Sequence, residues 1–253
     1  MSLKIALAPF LKQCAAVLTL GIRACMSDYI PRERELMRNA DRIFFPTPRY
    51  VDVFEAASKP TFPSPSCYRF ARSRVLQTLL FQHLGWPAAR ARLYFGRRQK
   101  RRILDDFSMP FDALPPDPRH RGSHRIRSAS DLQPVLEAYN PLVIREVVPW
   151  EERLRLVSVH YDCIAVQRLN LEAVFSHEFL SPASLGPELD FVLTRNRELT
   201  RMALLDDIVT EWGRLGKQWH IVEMSPPPLH IRFGGHSISR HAVICDLIVR
   251  GVL

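Results

Sequence analysis

Apolar and polar positions change in short blocks along the chain, and the block lengths predict strands and helices in turn. Lys4 to Ala8 and Ala16 to Arg23 read as two buried strands, Pro31 to Arg38 as a helix with Pro31 in its first turn, and Arg42 to Phe45 as a strand. Pro48 to Ala57 reads as a helix with Val51, Phe54 and Ala57 on one face, and Thr61-Phe62 as a further core strand before a Pro/Ser-rich turn. Tyr68 to Leu84 has the clearest helical period, through Val75, Leu79, Leu80 and Leu84, and Gly85-Trp86-Pro87 stops it. Ala91 to Phe95 is then a strand, Arg97 to Phe107 a basic helix, Met109 to Leu114 a strand, and PPDPRHRGSHRIRS a loop too polar and Pro-rich for a regular element.

A helix begins at Ser130-Asp131, and Leu142 to Val148 is a strand. Period-2 alternation over Arg155 to Val159 and Cys163 to Leu169 predicts an antiparallel hairpin. A helix at Leu189 to Leu204, a second hairpin from Ile208 to Trp212 and Trp219 to Met224, and a last helix at His241 to Val249 complete the pattern. The class is α+β, divided at 1–66, 67–148 and 149–253.

Composition narrows the classes. With 47% apolar and 24% charged residues among 253, disorder, collagen-like order and a disulfide scaffold are excluded. No apolar run approaches the ~20 residues of a membrane-spanning helix. The N-terminal segment imitates a signal peptide, but Lys12 and Gln13 split its apolar run, so two buried strands are expected there. The five Cys are odd in number and scattered, which predicts reduced, mostly buried thiols in a cytoplasm. Excess Arg gives a net charge of +9, concentrated in Arg97, Arg98, Lys100, Arg101 and Arg102. That run is read as a solvated helix face; nucleic acid is a less favoured partner because no aromatics interleave with the charge.

Three segments, taken in order, resemble the ATP-grasp superfamily, in particular the ribosomal-protein glutamate ligase-like (RimK-like) branch of carboxylate–amine ligases. They are ARSRVLQTLLFQHLGWPAARARLYFG, VIREVVPWEERLRLVSVHYDCIAVQR and EWGRLGKQWHIVEMS. The resemblance implies ATP held between two α+β subdomains, behind a small N-terminal αβ domain. It also implies magnesium and γ-phosphoryl transfer to a carboxylate, giving an acylphosphate that an amine attacks. Acceptor carboxylate and amine are unknown, a peptide or protein terminus being one option.

Carried over residue by residue, Glu146 matches the acceptor of the adenine amino group, with Val147 offering backbone atoms; otherwise Glu146 is an exposed strand-end carboxylate. Arg155 and Arg168 match the hairpin arginines that face phosphate and acylphosphate, and Arg155 alternatively closes a strand end. Glu211 and Glu223 match the metal-holding acids, with Ser225 at the final metal-site Asn. On opposite strands of one hairpin they lie side by side, and a divalent ion, or Lys217 or an Arg, relieves their repulsion. Arg74 stands where a phosphate-facing lysine is common, and Arg121, with Arg119 and Arg125, offers compensating charge in the altered loop.

Other expected groups are absent. Leu114 replaces the phosphate-binding lysine, the Gly-rich loop is reduced to Arg121-Gly122-Ser123-His124, and Arg153 replaces the ribose acid, with Glu151 and Glu152 nearby. Two lost interactions with transition-state charge at ~2.7 kcal/mol each slow a reaction about 10⁴-fold. The readings are therefore an ATP- and magnesium-dependent carboxylate–amine ligase, or a catalytically degenerate scaffold that keeps nucleotide or partner binding. A third is an RNA-associated protein led by the basic helix.

Overall fold

The computed structural model describes residues 3–118, 123–169, 179–182, 186–233 and 236–253. Short apolar strands with a small or aromatic partner suit a sheet buried on both faces. β1 (Lys4–Ala6), β2 (Leu18–Thr19), α1 (Pro31–Asn39), β3 (Arg42–Phe44), α2 (Pro48–Ala56) and β4 (Thr61–Phe62) form such a layer, parallel throughout in the order β2-β1-β3-β4. β1 is shorter than its apolar run, with Pro9 opening a helical turn at Pro9–Leu11, and the second strand, expected to be buried, is Leu18–Thr19 with Leu18 exposed.

The next layer holds α3 (Pro65–Phe70), α4 (Arg74–Leu84), β5 (Ala91–Tyr94), α5 (Gly96–Lys100), α6 (Ile103–Asp106), β6 (Phe111–Leu114), β7 (His124–Ile126), α7 (Ala129–Ala138) and β8 (Leu142–Glu146). Its sheet runs β5-β8-β6-β7, antiparallel throughout. The single helix expected from Tyr68 is two: the Ser73 hydroxyl accepts from the Leu76 N–H at 3.1 Å and starts α4 afresh. Gly85, left-handed at φ 62°, ends α4 as its sequence predicts. The basic helix is also two pieces, and Lys100 is buried within it. Its ammonium donates to the Leu136 carbonyl at 2.7 Å and to that of Tyr139, anchoring the C-terminal end of α7. The continuous charged face expected for nucleic acid is thereby broken.

The last layer comprises β9 (Glu152–Val159), β10 (Asp162–Leu169), β11 (Phe179–Leu180), α8 (Asp190–Met202), β12 (Asp207–Leu215), β13 (Gln218–Ser225), β14 (His230–Phe233), β15 (His236–Ser239) and α9 (Arg240–Val249). Five strands run antiparallel in the order β11-β10-β9-β12-β13, and β14 pairs with β15 alone. One face of the five-stranded sheet buries Leu154, Leu156, Val166, Ile208 and Trp212 with residues of α4 and α8. Beneath that face Asn196 donates to Ser158 at 2.9 Å and accepts from Thr210 at 2.5 Å, so α8 fixes β9 and β12 relative to each other.

The outer strand β13 is tied to earlier parts of the chain. The Ile221 N–H donates to the Pro87 carbonyl at 2.9 Å, and the Val222 carbonyl accepts from Arg145 at 3.1 Å. Gln77 meets both backbone groups of Met224, donating at 2.9 Å and accepting at 3.0 Å.

Gly213 in β12 has a steric role. A Cβ there would lie 2.5 Å from the Trp150 ring, which lines the cleft described below. Gly213→Ala is expected to cost about 1–3 kcal/mol by overpacking, read as a lower urea midpoint; an unchanged midpoint would show that the ring moves aside freely.

The expectation of five reduced thiols is corrected. Cys14 and Cys245 form a disulfide, leaving Cys25, Cys67 and Cys163 free. They are 231 positions apart, and only the docking of α9 against the N-terminal layer brings them together. Among the described residues no helix is long and apolar enough to cross a membrane.

Candidate functional site

Strand alternation puts Arg153 and Arg155 on the face of β9 opposite the buried Leu154 and Leu156. Across the sheet Arg155, Glu211 and Glu223 are direct partners on β9, β12 and β13, so the three form one row. Glu211 is only 5% exposed. One of its carboxylate oxygens accepts from Arg155 Nε at 3.1 Å, and the other accepts from Arg153. Glu223 accepts from Arg74 Nε at 2.9 Å, across from the first turn of α4. Arg74 also donates to the Pro115 carbonyl at 3.2 Å.

The facing wall is the second sheet. Asp112 on β6 accepts from Arg125 on β7 at 2.6 Å, and Arg145 on β8 reaches over to the Val222 carbonyl. Loss of hydration lowers the pKa of Arg145 and of Arg153; neighbouring guanidinium groups act in the same direction, and Glu223 and Asp112 oppose them. Six arginines (74, 90, 125, 145, 153, 155) thus meet four carboxylates (112, 146, 211, 223), an excess of two positive charges.

Three adjoining cavities run through this region. One of about 380 Å³ lies against α4 and touches Phe81, Trp86, Leu114, Val143 and Arg145. One of about 230 Å³ is bounded by Asp112, Arg125, Arg145, Glu146, Val147 and Arg153. One of about 250 Å³ is bounded by Arg74, Arg155, Glu211, Glu223 and Ser225.

The structure therefore gathers Arg74, Glu146, Val147, Arg155, Glu211, Glu223 and Ser225 around one cleft. Glu146 is exposed, and its carboxylate accepts from the Arg90 backbone N–H at 2.6 Å while its own N–H donates to the Arg90 carbonyl at 2.9 Å. It is engaged through one oxygen as a strand-end clip, the alternative role its sequence position allowed. Arg168 is corrected: its register partner is the buried Leu154, so it projects from the opposite face, where it pairs with Glu152 at 3.1 Å. Arg121 and Arg119 lie outside the described residues. Glu151 and Glu152 are no substitute for a ribose acid, being held by Arg214 and Arg168. Sequence reasoning missed Asp112 and Arg145 in the cleft; the available signal was a charge at an alternate position of an otherwise apolar strand.

A divalent ion between Glu211 and Glu223 would have to compete with the arginines that already hold both acids. Both oxygens of Glu211 already accept from guanidinium groups. Among the described residues no group of three or more His, Cys, Asp or Glu side chains could hold a metal. In the structure the repulsion between the two carboxylates is relieved by Arg74, Arg153 and Arg155.

No protein-family model and no curated protein matches the sequence. Solved structures do. An ADP complex of an N5-carboxyaminoimidazole ribonucleotide synthetase is 16% identical, with a TM-score of 0.64 over 88% of this chain and 63% of that one. A RimK-domain ATP-grasp protein from Sphaerobacter thermophilus is 10% identical, with a TM-score of 0.64 over 89% of this chain and 91% of that one. The D-alanine–D-alanine ligase from Bacillus anthracis complexed with ATP is 11% identical, with a TM-score of 0.63 over 90% and 87%. The chain spans less than two thirds of the synthetase's length. The chain has the ATP-grasp fold, an α+β arrangement.

Proposed function

We propose that the chain binds an adenine nucleotide in the cleft between the β5-β8-β6-β7 sheet and the five-stranded sheet. The phosphates face Arg74, Arg145, Arg153 and Arg155, and the base lies toward Val147. What carries the reading is the excess of two positive charges at the junction of two sheets, in a fold whose solved neighbours hold ADP and ATP. On this reading the protein is an ATP-grasp scaffold that retains binding. The RimK-like branch is the kinship we propose, on a structure of which the chain spans 91%.

A second reading keeps turnover as a carboxylate–amine ligase. A carboxylate oxygen would attack the γ-phosphorus, ADP would leave with the electrons of the broken bridging bond, and an amine would displace phosphate from the acyl carbon. The row Arg155, Glu211, Glu223 favours it, since these groups stay at one cleft wall. Leu114 and the arginine-held Glu211 weigh against it, because no lysine stands at that strand end and each Glu211 oxygen already accepts from a guanidinium group.

Thermal unfolding with ATP and ADP, each with and without magnesium, tests the proposal. Ligand at a hundred times Kd is expected to add ~2.7 kcal/mol of stability. No shift under any of these conditions would end the nucleotide reading. Acceptor-stimulated ADP release that Glu223→Gln abolishes would establish the ligase instead of the scaffold.

A further inference from the structure

We infer that Glu211 and Glu223 serve in this cleft as internal counter-ions that a polyphosphate displaces, so that its oxygens are held by guanidinium groups with no metal between. This rests on the nucleotide reading above, and concerns how that ligand's charge is met.

Carboxylate and phosphate present similar paired oxygens to a guanidinium fork, so one can replace the other at the same donor. Arg74, Arg153 and Arg155 are all turned to carboxylates and could be handed to a phosphate without leaving the cleft. Two donors remain undersupplied even so. Arg145 is partly buried with a backbone carbonyl as its hydrogen-bond acceptor, and Arg153 Nε is buried with no partner. A buried donor left unpaired costs free energy that an incoming oxygen recovers. The same cluster carries its positive excess before any ligand arrives, the opposite of an acidic site awaiting a cation.

The two roles for the acids differ in sign. An acid that holds a metal bridging to phosphate supports binding, and its amide variant binds more weakly. An acid that competes with phosphate for arginine opposes binding, and its amide variant binds more tightly. Glu223 is the better position to change because its side chain is 24% exposed, whereas the side chain of Glu211 is 7% exposed and helps hold β9 to β12.

Calorimetric titration of the full chain with ATP and with inorganic tripolyphosphate, in EDTA and in magnesium, decides between them. Expected are an ATP affinity in EDTA at least equal to that in magnesium and a gain of about fivefold in Glu223→Gln. Binding that needs magnesium and is lost in Glu223→Gln overturns the inference while leaving the nucleotide reading in place. Tripolyphosphate bound in EDTA, more tightly by Glu223→Gln, with ATP excluded, supports the counter-ion role and removes the nucleotide reading. Absence of binding by both ligands in both buffers overturns both. Arg153→Ala, expected to weaken either anion at least tenfold, checks that the heat arises in the cleft.

Discussion

Arg240→Ala is expected to lower the unfolding free energy by about 3–5 kcal/mol, the largest loss from any single substitution considered. Arg240 heads α9 and is 4% exposed, and its guanidinium donates to the Asp207 carboxylate and, at 3.2 Å, to the Pro228 carbonyl. Asp207 opens β12 at 3% exposure, and its second oxygen already has no partner. Burial pushes the Asp207 pKa up and Arg240 pulls it down. Its neighbour Asp206, likewise buried, is raised to about 6, burial being the main cause. Without Arg240 the Asp207 carboxylate would be enclosed, uncompensated and beside a second acid. Urea unfolding of the variant at neutral pH measures the loss, and a change below about 1 kcal/mol would mean that water reaches the site. Replacing both partners, Asp207→Leu with Arg240→Met, should recover most of it, since the pair's removal leaves no orphaned charge.

Reduction of the Cys14–Cys245 disulfide is expected to cost about 2–4 kcal/mol, because it releases a loop spanning nearly the whole chain in the unfolded state. Denaturant unfolding with and without a reductant, beside Cys14→Ser, reads the difference. A thiol count supplies the independent check: three reactive thiols after unfolding without reductant, from Cys25, Cys67 and Cys163. In the native state only exposed Cys25 should react quickly, since burial pushes the Cys67 thiol up and that of Cys163 up to about 12. Five thiols in the unfolded count would show that the bond does not form.

Local features of the fold were legible and distant partnerships were not. The β12–β13 hairpin follows from alternation around a tight turn, and that same alternation sets Glu211 against Glu223. The capping of α4 by Ser73 was legible in principle, yet the stronger helical period from Tyr68 onward masked it. What neutralises the two acids was undecidable from spacing, because Arg74 lies 149 positions from Glu223 and Arg155 lies 56 from Glu211. Arg168 illustrates the same limit at short range: its match in chain order was sound, but alternation from Leu154 turns it to the wrong side. The strand His124–Ile126 hid in an Arg- and Pro-rich stretch because its pairing with β6, not its own propensity, makes it a strand.

The outer strand of the large sheet carries a consequence for self-association. An unpaired strand margin is a template on which another molecule can add a strand and begin a fibril. Along 221–224 that template is already spent: proline carbonyl, arginine and the Gln77 amide occupy the outward-facing groups of Ile221, Val222 and Met224. Among the described residues the opposite margin, β11, comprises two residues. At these positions the large sheet leaves little free backbone on which a second copy could stack.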